Sequence, residues 1–159
     1  MTAVTPEDIE RTRRDSLDHI AKVQARMQEA ISSLIIRAAR HDESKLAEPE
    51  RSGYAALQAN LGDIRYGTPE YRAALDAARP VIEHHYAAND HHPEHYPNGI
   101  AGMSLLSLIE MLADWKAAGE RTREGSMRQS LEVNRRRFGP DDMLYGILEN
   151  TARELGWVE

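Results

Sequence analysis

The sequence predicts an all-α protein, a single-domain helical bundle of about six to seven helices. Three observations carry that expectation. Apolar residues recur at helical spacing along most of the 159 residues. Pro, Gly, Ser and Thr fall where helices begin and end. No stretch shows the strict apolar/polar alternation of a half-buried strand. The length suits one domain with its own core, taken as 1–159.

The elements follow in chain order. Thr5-Pro6-Glu7-Asp8 offers a cap, a first-turn proline and early acids that suit the positive end of a helix dipole. Ile9, Leu17, Ile20, Val23, Met27 and Ile31 then share one face, with His19 beside the stripe. Ser32 or Ser33 is expected to cap a second, shorter helix ending in His41-Asp42. Pro49 opens a helix to about Leu61, stopped by Gly62. Thr68-Pro69-Glu70 opens another to about Ala88, kinked or divided at Pro80. Asn89 to Gly102 reads as an ordered loop between helices. Met103 to Trp115 is apolar on nearly every side except at Glu110 and Asp114, which makes it the most buried helix. Helices at about Ser126 to Phe138 and Asp141 to Leu155 complete the chain, separated by Gly139-Pro140 and closed by Gly156.

Composition narrows the chemistry. Against 26 Asp+Glu stand 20 Lys+Arg, a formal charge of -6, which argues against a protein that coats duplex nucleic acid. The absence of cysteine leaves imidazole and carboxylate as the metal ligands, pointing to Mn, Fe, Co, Zn or Mg. No window has the roughly 18 apolar residues of a membrane span, and the start lacks a signal-peptide core. A cytoplasmic protein is expected.

Chemistry concentrates at few positions. Asp114 lies within an apolar helix, where a carboxylate is costly to bury unless a cation or donors receive it. Glu110 is one turn earlier on the same face. His41-Asp42 ends a helix and can turn into a cavity. If one unbroken helix joined His19 to His41, about 33 Å would separate them; the expected break at Ser32-Ser33 would return them to one level. Five of the seven histidines occupy Glu83 to His95, EHHYAANDHHPEH. His84 and His85 point about 100° apart on a helix, so one of them is expected to enter a cavity. His91 and His92 sit in backbone stiffened by Pro93 and Pro97, and His95 is expected in solvent. The run Arg135-Arg136-Arg137 reads as a solvated basic face.

The order His19, His41-Asp42, later histidines and Asp114 resembles the HD-domain superfamily of metal-dependent phosphohydrolases, over roughly Asp15 to Ala118. His41-Asp42-Glu43-Ser44-Lys45 is similar to the HDxGK form of its motif, with Ser44 in place of glycine. The segment from His91 to Gly99 is similar to part of the HD-GYP branch but lacks the glycine before its tyrosine, which argues against a cyclic-dinucleotide substrate. Overall the chain resembles small HD-like proteins of unknown function in phage and bacterial genomes, which share HDxSK, a HH…HH cluster and an EMxxDW helix, here Glu110-Met111-Leu112-Ala113-Asp114-Trp115; that likeness supplies a fold and a metal but no established substrate.

The resemblance implies a site and an activity. His19, His41, Asp42 and Asp114, with His84, would hold one divalent ion. His85, His91 and His92 would hold a second, or His91 and His92 would face substrate. Lys45 would meet the phosphate, and Glu110, His91 or His92 would move a proton. The implied reaction is hydrolysis of a small phosphorylated substrate, a nucleotide or related ester or anhydride, in the cytoplasm, or the host cytoplasm for a phage protein. A di-iron oxygenase and a non-catalytic, metal-stabilised binding module are the alternatives. A homo-oligomer is compatible with the apolar face around Ile147.

Overall fold

The computed structural model describes residues 3–62, 64, 68–121 and 125–158. Among them every regular element is helical, as expected: α1 (Pro6–Arg40), α2 (Glu50–Leu61), α3 (Pro69–Ala77), α4 (Arg79–Ala88), α5 (Leu105–Glu120), α6 (Met127–Phe138) and α7 (Asp142–Glu154). Short 3₁₀ turns occupy Glu43–Leu46, Pro93–His95 and Gly99–Gly102. No helix among the described residues is long and apolar enough to cross a membrane. The chain divides into two compact units, Met1–Ala39 and Arg40–Glu159.

The first unit is the body of α1. Its start is a reciprocal cap: the Asp8 amide donates to Thr5 Oγ1 at 3.2 Å and the Thr5 amide to Asp8 Oδ2 at 3.1 Å. Ion pairs such as Lys22 with Asp18 and Arg26 with Glu29 sit one helical turn apart. The expected break at Ser32-Ser33 does not occur. Ser32 Oγ donates to the Gln28 carbonyl at 2.8 Å, so the hydroxyl is satisfied inside a continuous helix and caps nothing. The chain reversal that was to bring His19 level with His41 therefore has no helix break at Ser32-Ser33 to rest on. No residue of α1 is buried, its apolar stripe included.

In the second unit α5 is the central helix. Ser104 caps it by accepting from the Ser107 amide at 3.1 Å, which sets its start two residues later than the apolar pattern indicates. Leu108, Met111 and Leu112 pack with Met127 and Leu131 of α6, Leu148 and Ala152 of α7, and Ile100. Trp115 lies parallel to Phe138, ring centroids 6.1 Å apart. The face of α5 carrying Glu110 and Asp114 is left for polar partners.

Pro80 falls in the first turn of α4, where its missing amide costs nothing, and α3 and α4 are divided at Ala78. The loop 89–104 is pinned to α5: Tyr96 Oη donates to the Asp90 carbonyl at 3.0 Å and lies 3.3 Å from Ser107 Oγ. Arg135, Arg136 and Arg137 of α6 are all exposed, as expected. Within that exposed run Arg135 pairs with Asp142 and Arg137 with Glu94, and Arg136 is the most exposed of the three, at 83 %.

Helices α2 and α4 meet at Gly53. A Cβ there would stand 2.5 Å from Val81 Cγ2 and 2.8 Å from Val81 Cβ, so the closeness of the two helices depends on its absence. Gly53→Ala should therefore destabilise the protein by about 1–3 kcal/mol, despite the better helix propensity of alanine, as measured by urea denaturation.

Candidate metal centre

The α1 helix ends at Arg40, and Asp42 takes a left-handed conformation, φ 57°. It is the one non-glycine residue with positive φ among those described. Asp tolerates this region better than most side chains. The sharp turn aims His41 and Asp42 toward α4, α5 and the 89–95 segment.

Two groups there have the composition and closeness to hold a metal ion. The ligand atoms of Asp42, His85, His91 and His92 lie within 4.8 Å of one another, as do those of His41, His91 and Glu110. In the first group Asp42 Oδ1 is 3.3 Å from His85 Nε2 and 3.6 Å from His91 Nε2. His85 Nε2 and His92 Nε2 are 2.9 Å apart. Adjacent donors around an ion bound at about 2.1 Å are separated by roughly 3.0–3.4 Å. Asp42 Oδ1 and His91 Nε2 are also buried and have no hydrogen-bond partner. Two facing donor atoms left bare in the interior are costly, and a cation between them removes that cost. The residues present fit a metal.

The far sides of the rings are fixed by two glutamates. Glu50 is fully buried and accepts from three donors: His84 Nδ1 at 2.9 Å, His85 Nδ1 at 2.8 Å and Ser44 Oγ at 2.9 Å. Glu110 Oε1 lies 2.9 Å from His41 Nδ1 and 3.2 Å from His91 Nδ1. With Nδ1 donating to a carboxylate, Nε2 of His85 and His91 keeps its lone pair, the tautomer that a metal ligand needs. Since His85 Nε2 then has no proton, the 2.9 Å approach of His92 Nε2 requires a proton on His92 or an ion near both atoms.

The expected site residues separate accordingly. His41, Asp42, His85, His91 and His92 come together. His84 does not: its Nδ1 turns to Glu50 and its side chain is 47 % exposed, so of the neighbouring pair His85 is the one that enters. Asp114 Oδ1 is 3.7 Å from His41 Nε2 at the edge of the groups, and its side chain is 31 % exposed rather than deeply buried. Glu110 receives the ring N–H groups of His41 and His91. Lys45 Nζ donates to Asp42 Oδ2, and its ammonium stands 5.4 Å from the Tyr54 ring centre. His95 is exposed, with Nδ1 donating to the Tyr86 carbonyl at 3.1 Å. Sequence reasoning missed Glu50. As the first acid of α2 it looks like an ordinary dipole-matching residue, and nothing local marks it as buried.

Electrostatics divide the imidazoles. The Asp114 carboxylate facing His41 raises its pKa, burial opposes, and Glu110 and Asp42 bring the balance to about 9. Burial, reinforced by the neighbouring His91 and His85, pushes His92 down to about 3. Burial and the charge on His41 also lower His91. Burial favours the neutral form of Asp42, but hydrogen bonding and charge from Lys45 hold its carboxyl below the usual range. Asp114 stays low for a similar reason, with His41 outweighing burial.

Helical fold and polar cluster together define an all-α protein with groups of His, Asp and Glu able to hold a metal ion. The chain belongs to DUF5662, a family of unknown function whose family model matches residues 8–154. No curated protein and no solved structure matches it.

Two outcomes follow from the geometry. Glu50→Gln replaces an acceptor oxygen with an amide donor beside His84 or His85 and should weaken metal binding by about 10–100-fold, read by competition with a chromogenic chelator. In metal-free protein His41 gains a proton on folding. Its stabilisation is therefore fully present below its unfolded pKa of about 6.5 and is lost as pH rises through about 9. Melting in EDTA from pH 6 to 10 should show a larger fall for wild type than for His41→Gln.

Proposed function

We propose that this chain is a metal-dependent phosphohydrolase acting on a nucleotide or a related phosphate ester or anhydride. The observation that carries the reading is the pair of facing, partnerless ligand atoms, Asp42 Oδ1 and His91 Nε2, within three imidazoles and one carboxylate. Imidazole-rich donors suit Mn, Fe, Co or Zn better than Mg. A divalent ion held there supplies Lewis acidity toward water and a phosphoryl oxygen.

The chain's own residues have distinct tasks in this reading. Asp42, His85, His91 and His92 hold the ion, with His41 and Asp114 adjoining. Glu50 and Glu110 keep the ring nitrogens aimed inward. Lys45 is 40 % exposed on a flexible stem, so its ammonium can leave Asp42 for an incoming phosphate and neutralise charge on the phosphoryl oxygens. The likeness of His41-Asp42-Glu43-Ser44-Lys45 to the HD phosphohydrolase motif supports the same reaction by analogy.

A second reading rests on the adjoining group of His41, His91 and Glu110. With two iron ions the pair of groups would suit an oxygenase acting on a small substrate. The experiment that separates the readings loads the protein separately with Mn, Fe, Co, Zn or Mg and screens nucleoside mono-, di- and triphosphates for released phosphate or pyrophosphate. Hydrolysis that is equal in air and under argon, and that Asp42→Ala lowers by at least about 100-fold, is the expected outcome. Oxygen uptake by the iron form without phosphate release would replace the proposal, and Asp42→Ala protein that keeps its metal and activity would end it.

A further inference from the structure

His92 differs from the other ring ligands of the candidate centre in how it is held. His41, His85 and His91 each direct Nδ1 at a glutamate. His92 has no carboxylate partner among the described residues. Its ring is gripped by other rings, with centroids 4.2 Å from His91, 4.8 Å from His85 and 4.9 Å from Tyr86. Tyr86 forms the outer wall of this stack, so whatever fixes Tyr86 fixes one side of His92.

That partner comes from α6. Arg137 Nη2 donates to Tyr86 Oη at 3.0 Å and to Glu94 Oε1 at 2.6 Å. Tyr86 flanks the ring of His92, and Glu94 lies two residues beyond it in the turn that follows. One guanidinium nitrogen thus holds both the ring beside His92 and the turn that follows it, without touching His92 itself. The anchor is itself fixed: the guanidinium carbon stands 4.7 Å from the centre of the Phe138 ring, and Phe138 lies parallel to Trp115 beside Asp114 on α5. Helix α5, with Glu110 and Asp114, is in this way tied to the segment bearing His91 and His92.

We propose that Arg137 is a positioning residue for the metal centre, a strap that holds His92 in ligand geometry through Tyr86 and Glu94. The inference rests on the metal-site reading above and assigns the task to a residue about which that reading says nothing. A guanidinium can fork to two acceptors in fixed directions, whereas an ammonium carries the same charge without that geometry.

The test is cobalt(II) titration of the full chain, reading affinity and the visible d–d spectrum, with hydrogen exchange of residues 89–96 in metal-free protein. Arg137→Ala should lower cobalt affinity by roughly tenfold, the smaller end of effects from groups behind a ligand. It should also alter the d–d bands and speed exchange of the segment. Arg137→Lys should recover only part of the affinity. Arg136→Ala, which removes the same charge from the neighbouring exposed position, should change none of these. Tyr86→Phe, which deletes only the acceptor hydroxyl, should add little to Arg137→Ala in the double variant. If Arg137→Ala matches Arg136→Ala in affinity, spectrum and exchange, the strap is overturned while the metal site stands. If wild-type protein binds no cobalt, the site reading fails and the strap with it. Should Arg137→Ala fail to fold, Arg137→Lys and Tyr86→Phe decide the matter: wild-type spectra from both would also overturn the proposal.

Discussion

Glu50 is the constraint on which the candidate centre depends. Its carboxylate has no contact with solvent and three donors around it, one from the 43–46 turn and two from consecutive histidines of α4. Leaving a buried charge without its partners costs about 3–5 kcal/mol, so this arrangement commits α2, α4 and the turn to one geometry. Gly53 permits the approach, since α2 and α4 come together where a side chain would strike Val81. Ser44 adds a second function. Asn89 Nδ2 donates to its hydroxyl at 2.8 Å, which links the buried carboxylate to the start of the segment carrying His91 and His92.

The interior of the site has a definite charge pattern. Carboxylates that burial alone would neutralise are kept ionised by Lys45 and His41, whereas His91 and His92 are driven toward the neutral form. Ionised carboxylate with neutral imidazole is the protonation state that metal binding requires. His41 is the exception, protonated near neutrality because it faces Asp114 and Glu110. Lys45 and His41 thus provide positive charge close to the oxygen atoms that would face an ion. An ion entering the site would compete with these internal cations for the carboxylates.

Much of the fold is legible residue by residue. Thr5, Thr68, Ser126 and Asp141 all cap helices, and Gly62, Gly139 and Gly156 take positive φ just beyond helix ends. Caps and stops are local chemistry, so a few neighbouring residues suffice to reveal them. Ser32-Ser33 misled because serine serves two roles: it caps when the backbone can leave the helix and bonds back to the preceding turn when it cannot. Nothing local distinguishes the two. The continuity of α1 removed the helix break expected at Ser32-Ser33, while leaving the expectation of an all-helical chain untouched.

The site was legible in its chemistry and illegible in its assignments. Composition alone required imidazole and carboxylate ligands, and the order of His41-Asp42, the histidine-rich segment and the α5 acids marked the stretches that would supply them. Tertiary structure decided which atoms meet. It turned His85 inward and His84 toward Glu50, made Glu110 a shared acceptor for two rings, and recruited Glu50 and Arg137 from positions that read as ordinary surface charge. The reason is physical: a cap is settled by contacts within one turn, whereas a ligand set is settled by side-chain directions from elements up to 69 residues apart, as for His41 and Glu110.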